Sequence, residues 1–204
     1  MALRLYAFHN NPRQIERIAR LLEDGGVVII PTDTTYALAC HALKERAVER
    51  VCKIRGISAR EHPLSIVCYD LSAISEFAHI TTPVFKLIKR NLPGAFTFLL
   101  PGKSTLPKVF HARPQHEVGI RMPDVPVLRE LLERLQAPLL TLSLPAEDLD
   151  EEYRTSAELA EEAFGDRVDL VIDGGDGLNA HSTIVDCTGD EPEVVRQGMG
   201  ELKL

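Results

Sequence analysis

Apolar residues along the chain fall into short runs of two kinds, and their alternation predicts helices and strands in turn. Ile15, Ile18, Ala19 and Leu22 recur at helical spacing after Asn10-Asn11-Pro12, and Gly25-Gly26 ends the pattern. Val27 to Ile30 is a β-branched run between glycine and proline, which reads as a buried strand. The same reasoning gives helices from Ala47 to Ile54, closed by Gly56, from Pro83 to Asn91, stopped by Pro93-Gly94, and from Pro126 to Leu135. A further helix runs from Ser156 to Phe164, with Thr155 as its cap. Strands are expected at Leu64 to Cys68, Phe96 to Leu100, Val118 to Met122 and Leu139 to Leu144, then at Leu170 to Ile172, Thr183 to Val185 and Val194-Val195. This order implies an α/β protein: a twisted, mixed sheet flanked by helices, its strands covered on both faces. No linker or repeat interrupts residues 1–204, so a single domain is expected, with the proline-rich loop from Lys103 to Gln115 part of it.

Composition narrows the class. Of the 204 residues, 45% are hydrophobic and 26% charged, as in soluble globular proteins. No apolar run approaches the roughly 18 residues of a membrane span, and the first residues lack a signal-peptide pattern. Cys40, Cys52, Cys68 and Cys187 show no CxxC spacing and read as reduced, buried thiols of a cytoplasmic protein. The seven histidines lack zinc-ligand spacing, so no metal ligands are assigned. The net charge of −7 is unevenly spread: residues 1–122 carry 17 basic and 10 acidic side chains, the remainder 6 and 20. That gradient is either a solvated surface or a concentration of cations for an anionic ligand.

Three segments hold the chemistry. Pro31-Thr32-Asp33-Thr34-Thr35-Tyr36 follows a buried strand, where ligands of open α/β sheets bind, though threonines there also serve simply to close a turn. Lys53 and Arg55 precede Gly56, which can end the helix and let Arg55 swing beside Lys53 to grip a triphosphate; the alternative is a pair of solvated surface cations. Ser182-Thr183-Ile184-Val185-Asp186 follows a loop with Gly174, Gly175 and Gly177, whose N–H groups suit phosphate or carboxylate oxygens. No Walker or Rossmann glycine pattern is present, and His181-Ser182 lacks the surroundings of a hydrolase nucleophile. Clustered hydroxyls and fixed cations suit a nucleoside triphosphate with a small polar co-substrate.

In order, these segments resemble the YrdC/YciO family of threonylcarbamoyl-AMP synthase-like proteins, most closely its YciO branch. The match runs from about Gly25 to Gly198. It includes Pro31 to Leu38, Lys53 to Arg55, Pro63-Leu64, Pro93 to Thr97, Val118 to Pro123, Ser182 to Asp186 and Arg196 to Gly198. The resemblance implies the YrdC/RibB-like fold around a deep basic cavity. It also implies a nucleotidyltransferase that joins ATP, L-threonine and bicarbonate into threonylcarbamoyl-AMP, releases pyrophosphate, and supplies a transfer-RNA modification at adenosine 37. By the same resemblance Lys53, Arg55, His62, Ser143 and Arg196 serve ATP, with Mg²⁺ on its phosphates, and Lys53 and Arg55 are the catalytic pair. Thr32, Arg121, Thr141 and Ser182 would receive threonine. Family synthases usually carry Ser-x-Asn where this chain reads Ser143-Leu144-Pro145. His62 replaces a common lysine or asparagine, Val67 and Cys68 offer no histidine after Pro-Leu, and Glu117 adds negative charge near the nucleotide. A second reading is therefore a module binding tRNA or double-stranded RNA that keeps the basic cavity without the synthase chemistry; strongly salt-dependent RNA affinity would mark it.

Overall fold

A computed structural model describes residues 2–6, 10–145 and 151–204, the side chain of Glu151 excepted. In chain order the strands are β1 (Leu3–Arg4), β2 (Val27–Ile30), β3 (Ala37–His41), β4 (Leu64–Val67), β5 (Gly94–Pro101), β6 (Glu117–Met122), β7 (Leu139–Ser143), β8 (Leu170–Asp173), β9 (Thr183–Asp186) and β10 (Glu193–Arg196). The helices are α1 (Pro12–Glu23), α2 (Glu45–Arg55), α3 (Ile74–Phe77), α4 (Thr82–Asn91), α5 (Pro126–Leu135) and α6 (Ala157–Phe164). The strands form one 10-stranded sheet ordered β1-β8-β2-β3-β7-β4-β6-β5-β9-β10. Parallel pairs (β1/β8, β2/β8, β4/β6, β5/β9) mix with antiparallel ones, so the sheet is mixed as expected.

Local signals set most of these elements. Asn11 caps α1 by accepting the Arg13 N–H at 3.0 Å, Pro12 occupies the first turn, and Ile15, Ile18, Ala19 and Leu22 are buried. α6 differs at its start: its cap is Ser156, which accepts the Leu159 N–H, while Thr155 donates its hydroxyl to the Glu152 carbonyl. β3 was not announced by the pattern, because Ala37-Leu38-Ala39-Cys40-His41 lacks β-branched residues. The whole spread of strand propensity is only about 1 kcal/mol, whereas burying Leu38 alone contributes roughly 1.5–3 kcal/mol. Pairing with β2 and β7 buries all of β3, and tertiary burial wins.

Alternation along the strands assigns every registered row to one face of the sheet. One face carries Leu38, Cys40, Ile66, Ile120, Phe98 and Leu140 and is sealed by side chains that include Val48, Val51, Ile88, Ala160 and Phe164 of the helices. The opposite face is divided. Val28, Ile30, Ala39, Val67 and Leu139 pack there against Ile18 and Leu22 of α1 and Leu128 and Leu131 of α5. Beyond those two helices the same face turns polar. Ala39 registers with Thr141, Thr141 with Ser65, and Ser65 with Gly119. Arg121, Thr97 and Ser182 share that side by alternation from Gly119, Leu99 and Ile184. The sheet is thus not apolar on both faces throughout, as the strand runs suggested, and the polar sector is where a ligand can lie.

All four cysteines are free and buried. Burial pushes the Cys40, Cys68 and Cys187 thiols up, the last to about 11. Among the described residues no helix is long and apolar enough to cross a membrane.

The Tyr36 hydroxyl locks the loop after β8 to the start of β3. It donates to the Gly175 carbonyl at 2.6 Å and accepts the Gly174 N–H at 3.1 Å, on a residue with no exposed surface. Tyr36→Phe strands both backbone groups and is expected to cost about 1–3 kcal/mol in urea unfolding; an unchanged midpoint would mean that water replaces the hydroxyl.

Candidate functional site

Arg121 organises the polar sector. It leaves β6 beneath the Pro31–Tyr36 loop, and its Nη2 donates to Asp33 Oδ1 at 3.1 Å and to Thr34 Oγ1 at 3.5 Å. Both charged side chains are only 12% exposed, and the second Asp33 oxygen accepts the Asp124 N–H at 3.3 Å. Burial pushes the Asp33 carboxyl above its ordinary value, with Arg121 opposing. Burial likewise lowers the Arg121 guanidinium; Asp33 opposes and nearby Arg196 adds to the fall. Among the described residues Arg121 Nε is buried and has no partner, and Thr141 Oγ1 on the floor is in the same condition. A buried donor without a partner is costly, so both atoms point to a ligand.

The threonines of the loop divide their labour. Thr32 Oγ1 donates to the Thr35 carbonyl at 2.6 Å and accepts the Thr34 N–H at 3.1 Å. Its one proton being committed, the 2.9 Å contact with Thr34 Oγ1 must be donated by Thr34. Thr32 is therefore saturated inside the turn and shapes the loop, which fits the turn-closing alternative better than a direct ligand contact.

Ser182 and Arg196 close the other side. Ser182 Oγ lies 2.9 Å from Thr97 Oγ1. Arg196 donates from Nε and Nη2 to the Ser182 carbonyl at 3.3 and 2.9 Å, and its Nη2 lies 3.4 Å from Ser182 Oγ. The Thr183 hydroxyl ties the strand start to the returning chain, accepting the Gly198 N–H and donating to the Gly200 carbonyl. Thr32, Arg121, Thr141, Ser182 and Arg196 are thus gathered on one face.

Lys53, Arg55, His62 and Ser143 are placed differently. α2 packs on the sealed apolar face and remains helical through Arg55, with Gly56 (φ 71°) as its left-handed cap. Two helical steps put Lys53 and Arg55 roughly 200° apart, so Gly56 does not bring them side by side. Neither side chain forms a hydrogen bond or ion pair among the described residues. The chain leaving α2 enters β4 at the end of the sheet where β7 delivers Ser143, and His62 and Ser143 are exposed there. Lys53, Arg55 and His62 lie toward that open end, and Ser143, two residues beyond Thr141 on β7, is on the polar side at its edge.

Two further expectations are corrected. The N–H groups of the glycine loop are spoken for: Gly174 by Tyr36, Gly175 by Asp173 Oδ1 at 2.9 Å, and Gly177 by the Thr155 carbonyl at 2.7 Å. They cannot cradle phosphate without breaking those bonds. Glu117 is paired with Arg113 at 2.5 Å, which offsets the negative charge it was expected to add. A resident Mg²⁺ does not fit, because Asp33 is engaged by Arg121 and Asp124 and no group of three or more candidate ligands occurs among the described residues.

Asp33 and Thr34, within the loop segment named from sequence, join the floor, and Thr97, Ser65 and Gly119 join it without having been given a role there. The signal that finds the last three is register combined with period two: Gly119 lies two residues from Arg121 on β6, Ser65 pairs with Thr141 and Gly119, and Thr97 pairs with Ile184, two residues from Ser182. A separate cavity of about 400 Å³ sits between α5 and the far ends of β4 and β6. Its rim charges Asp70 and Arg129 are bonded to Ser72 and Asp124.

Comparison with known proteins gives a consistent picture. The Sua5/YciO/YrdC family model, described as telomere recombination, matches residues 20–198. YciO of Escherichia coli (strain K12) is 35% identical over 202 residues, 97% of this chain and 96% of its own. The crystal structure of E. coli YciO matches with a TM-score of 0.89 at 32% identity, over 100% of this chain and 98% of that one. A threonylcarbamoyl-AMP synthase of Pyrococcus abyssi is 30% identical over 91% of this chain and 54% of its own length. The structure of P. abyssi Sua5 complexed with L-threonine matches with a TM-score of 0.85 at 28% identity, over 97% of this chain and 57% of that one.

Asp33→Ala leaves the Arg121 guanidinium buried and uncompensated, and a loss of about 3–5 kcal/mol in chemical unfolding is expected. A loss below about 1 kcal/mol would place the compensation of Arg121 elsewhere.

Proposed function

The chain belongs to the Sua5/YciO/YrdC family, and from that premise we propose that it is a nucleotidyltransferase of the threonylcarbamoyl-AMP synthase type. The observation that carries the reading is the buried, unpartnered pair of Arg121 Nε and Thr141 Oγ1 on one floor. A guanidinium with a free donor suits the carboxylate of an amino acid. Thr141 and Ser182 then flank that amino acid, and Thr32 acts by holding the loop that bears Asp33 and Thr34. Lys53, Arg55 and Arg196 neutralise the triphosphate, the first two from the open end of the sheet, where Ser143 and His62 meet the nucleotide. Any divalent ion arrives with the nucleotide phosphates.

In this reading the threonine amine combines with bicarbonate, losing water, to give the carbamate. A carbamate oxygen then attacks the α-phosphorus in line; the bond to the β-phosphate bridging oxygen breaks, and pyrophosphate leaves with that electron pair. No protein nucleophile is needed. The residues align the reactants and neutralise charge. The product would supply the threonylcarbamoyl group for adenosine 37 of transfer RNA.

The test is pyrophosphate release from ATP with and without L-threonine and bicarbonate. Release that requires both is expected; none, or release indifferent to threonine, sinks the reading. Salt-dependent RNA binding without any release would favour the RNA-binding alternative. Because the Lys53 and Arg55 side chains have no partners among the described residues, Lys53→Ala and Arg55→Ala are expected to leave the melting temperature unchanged. Each should weaken ATP binding about tenfold or more, one charge-assisted contact being worth at least about 1.4 kcal/mol. Unaltered calorimetric affinity in both variants would remove them from the site.

A further inference from the structure

The floor holds an unbonded hydroxyl, that of Ser65, to which the proposed reaction gives no task. Ser65 stands on β4 between Thr141 of β7 and Gly119 of β6, in register with both. Its Oγ leans over the glycine: a Cβ on Gly119 would meet Ser65 Oγ at 2.3 Å and Thr97 Cγ2 at 3.0 Å. The lack of a side chain at Gly119 is therefore what gives the Ser65 hydroxyl its place on the floor. Ser65 Oγ forms no hydrogen bond among the described residues, and its cross-strand neighbour Thr141, 4% exposed, has a buried hydroxyl with no partner. Directly opposed antiparallel residues have Cβ atoms about 4.5–5.5 Å apart, so with Ser65 turned from Gly119 toward β7 both hydroxyls can reach a single oxygen atom between them.

We propose that Ser65 is a specificity-determining residue which, together with Thr141, receives the side-chain hydroxyl of the amino acid held through its carboxylate by Arg121. This deepens the synthase reading and rests on it. Two neighbouring hydroxyls supply one donor and one acceptor, the complement of an alcohol. They carry no charge, so they do not compensate a second carboxylate, and Arg121 is already engaged with the first. An apolar isostere in the same place leaves Thr141 Oγ1 buried and unpaired. Sites built to hydrogen-bond a substrate hydroxyl discriminate strongly on that account, far beyond what a hydrophobic pocket achieves. The site thereby selects a β-hydroxy amino acid over one of equal shape and no hydroxyl.

Calorimetry of the full chain with L-threonine and with its isostere L-valine tests this. The wild-type protein is expected to bind threonine at least about tenfold more tightly than valine, the equivalent of about 1.4 kcal/mol. Ser65→Ala should shrink that ratio several-fold by weakening threonine while leaving valine unchanged, and Ser65→Thr, which keeps the hydroxyl, should preserve it. Thermal melts of the variants establish that they are folded. A ratio unaltered in Ser65→Ala, or lost equally in Ser65→Thr, overturns the role of the Ser65 hydroxyl while threonine binding itself stands. Binding of neither amino acid to the wild-type protein overturns the synthase reading and this inference together.

Discussion

A strand can offer a ligand only the residues on one of its sides, and in this sheet the two sides have opposite chemistry. On one, an unbroken apolar surface from β3 to β5 is buried beneath helices. On the other, α1 and α5 cover only part of the width and leave a polar sector to be completed by a loop and by Arg196. Everything assigned to the site depends on that division. The sealed side supplies the burial that holds the strands in register, and register places Thr141, Ser65, Gly119 and Arg121 together. A one-residue slip of β4 would turn Ser65 into the core, and one of β6 would do the same to Arg121.

The ion pair between Arg121 and Asp33 ties the loop to this floor. It is buried enough that its worth lies less in net stability than in geometry, since desolvating both ions consumes much of the attraction. What it fixes is direction: Nη2 is committed to Asp33, while Nε stays buried without a partner among the described residues. Thr34 and the Asp124 N–H hold the pair from either end. The loop thus behaves as a shaped strap, with Thr32 spending its hydroxyl inside the turn.

Much of the fold was legible because its helices carry caps and its strands are bounded by glycine and proline. Asn11-Pro12 begin α1 and Gly56 ends α2 as read. β3 escaped because alanine and cysteine give no strand signal, and only its two neighbours bury it. Among site residues, Arg121, Thr141 and Ser182 were carried by family resemblance, and their convergence follows from register that no local pattern encodes. Ser65 and Gly119 were passed over because a serine and a glycine within a strand look unremarkable until alternation is counted across three strands. The pairing of Lys53 with Arg55 failed for a definite reason: a glycine cap acts on the residues after it, and Arg55 still belongs to the last helical turn. The glycine loop misled because loop glycines suit backbone bonding within the protein as well as to anions.

Arg196 lies on β10, the outermost strand, whose four residues are all exposed and which is held by β9 alone, with an irregular register. The floor it faces lies in the middle of the same sheet. The seat is therefore assembled from the most and the least protected parts of the molecule. Fraying of that border strand would withdraw one cation while the central rows stay folded, so occupancy of the seat and order at the border should rise and fall together.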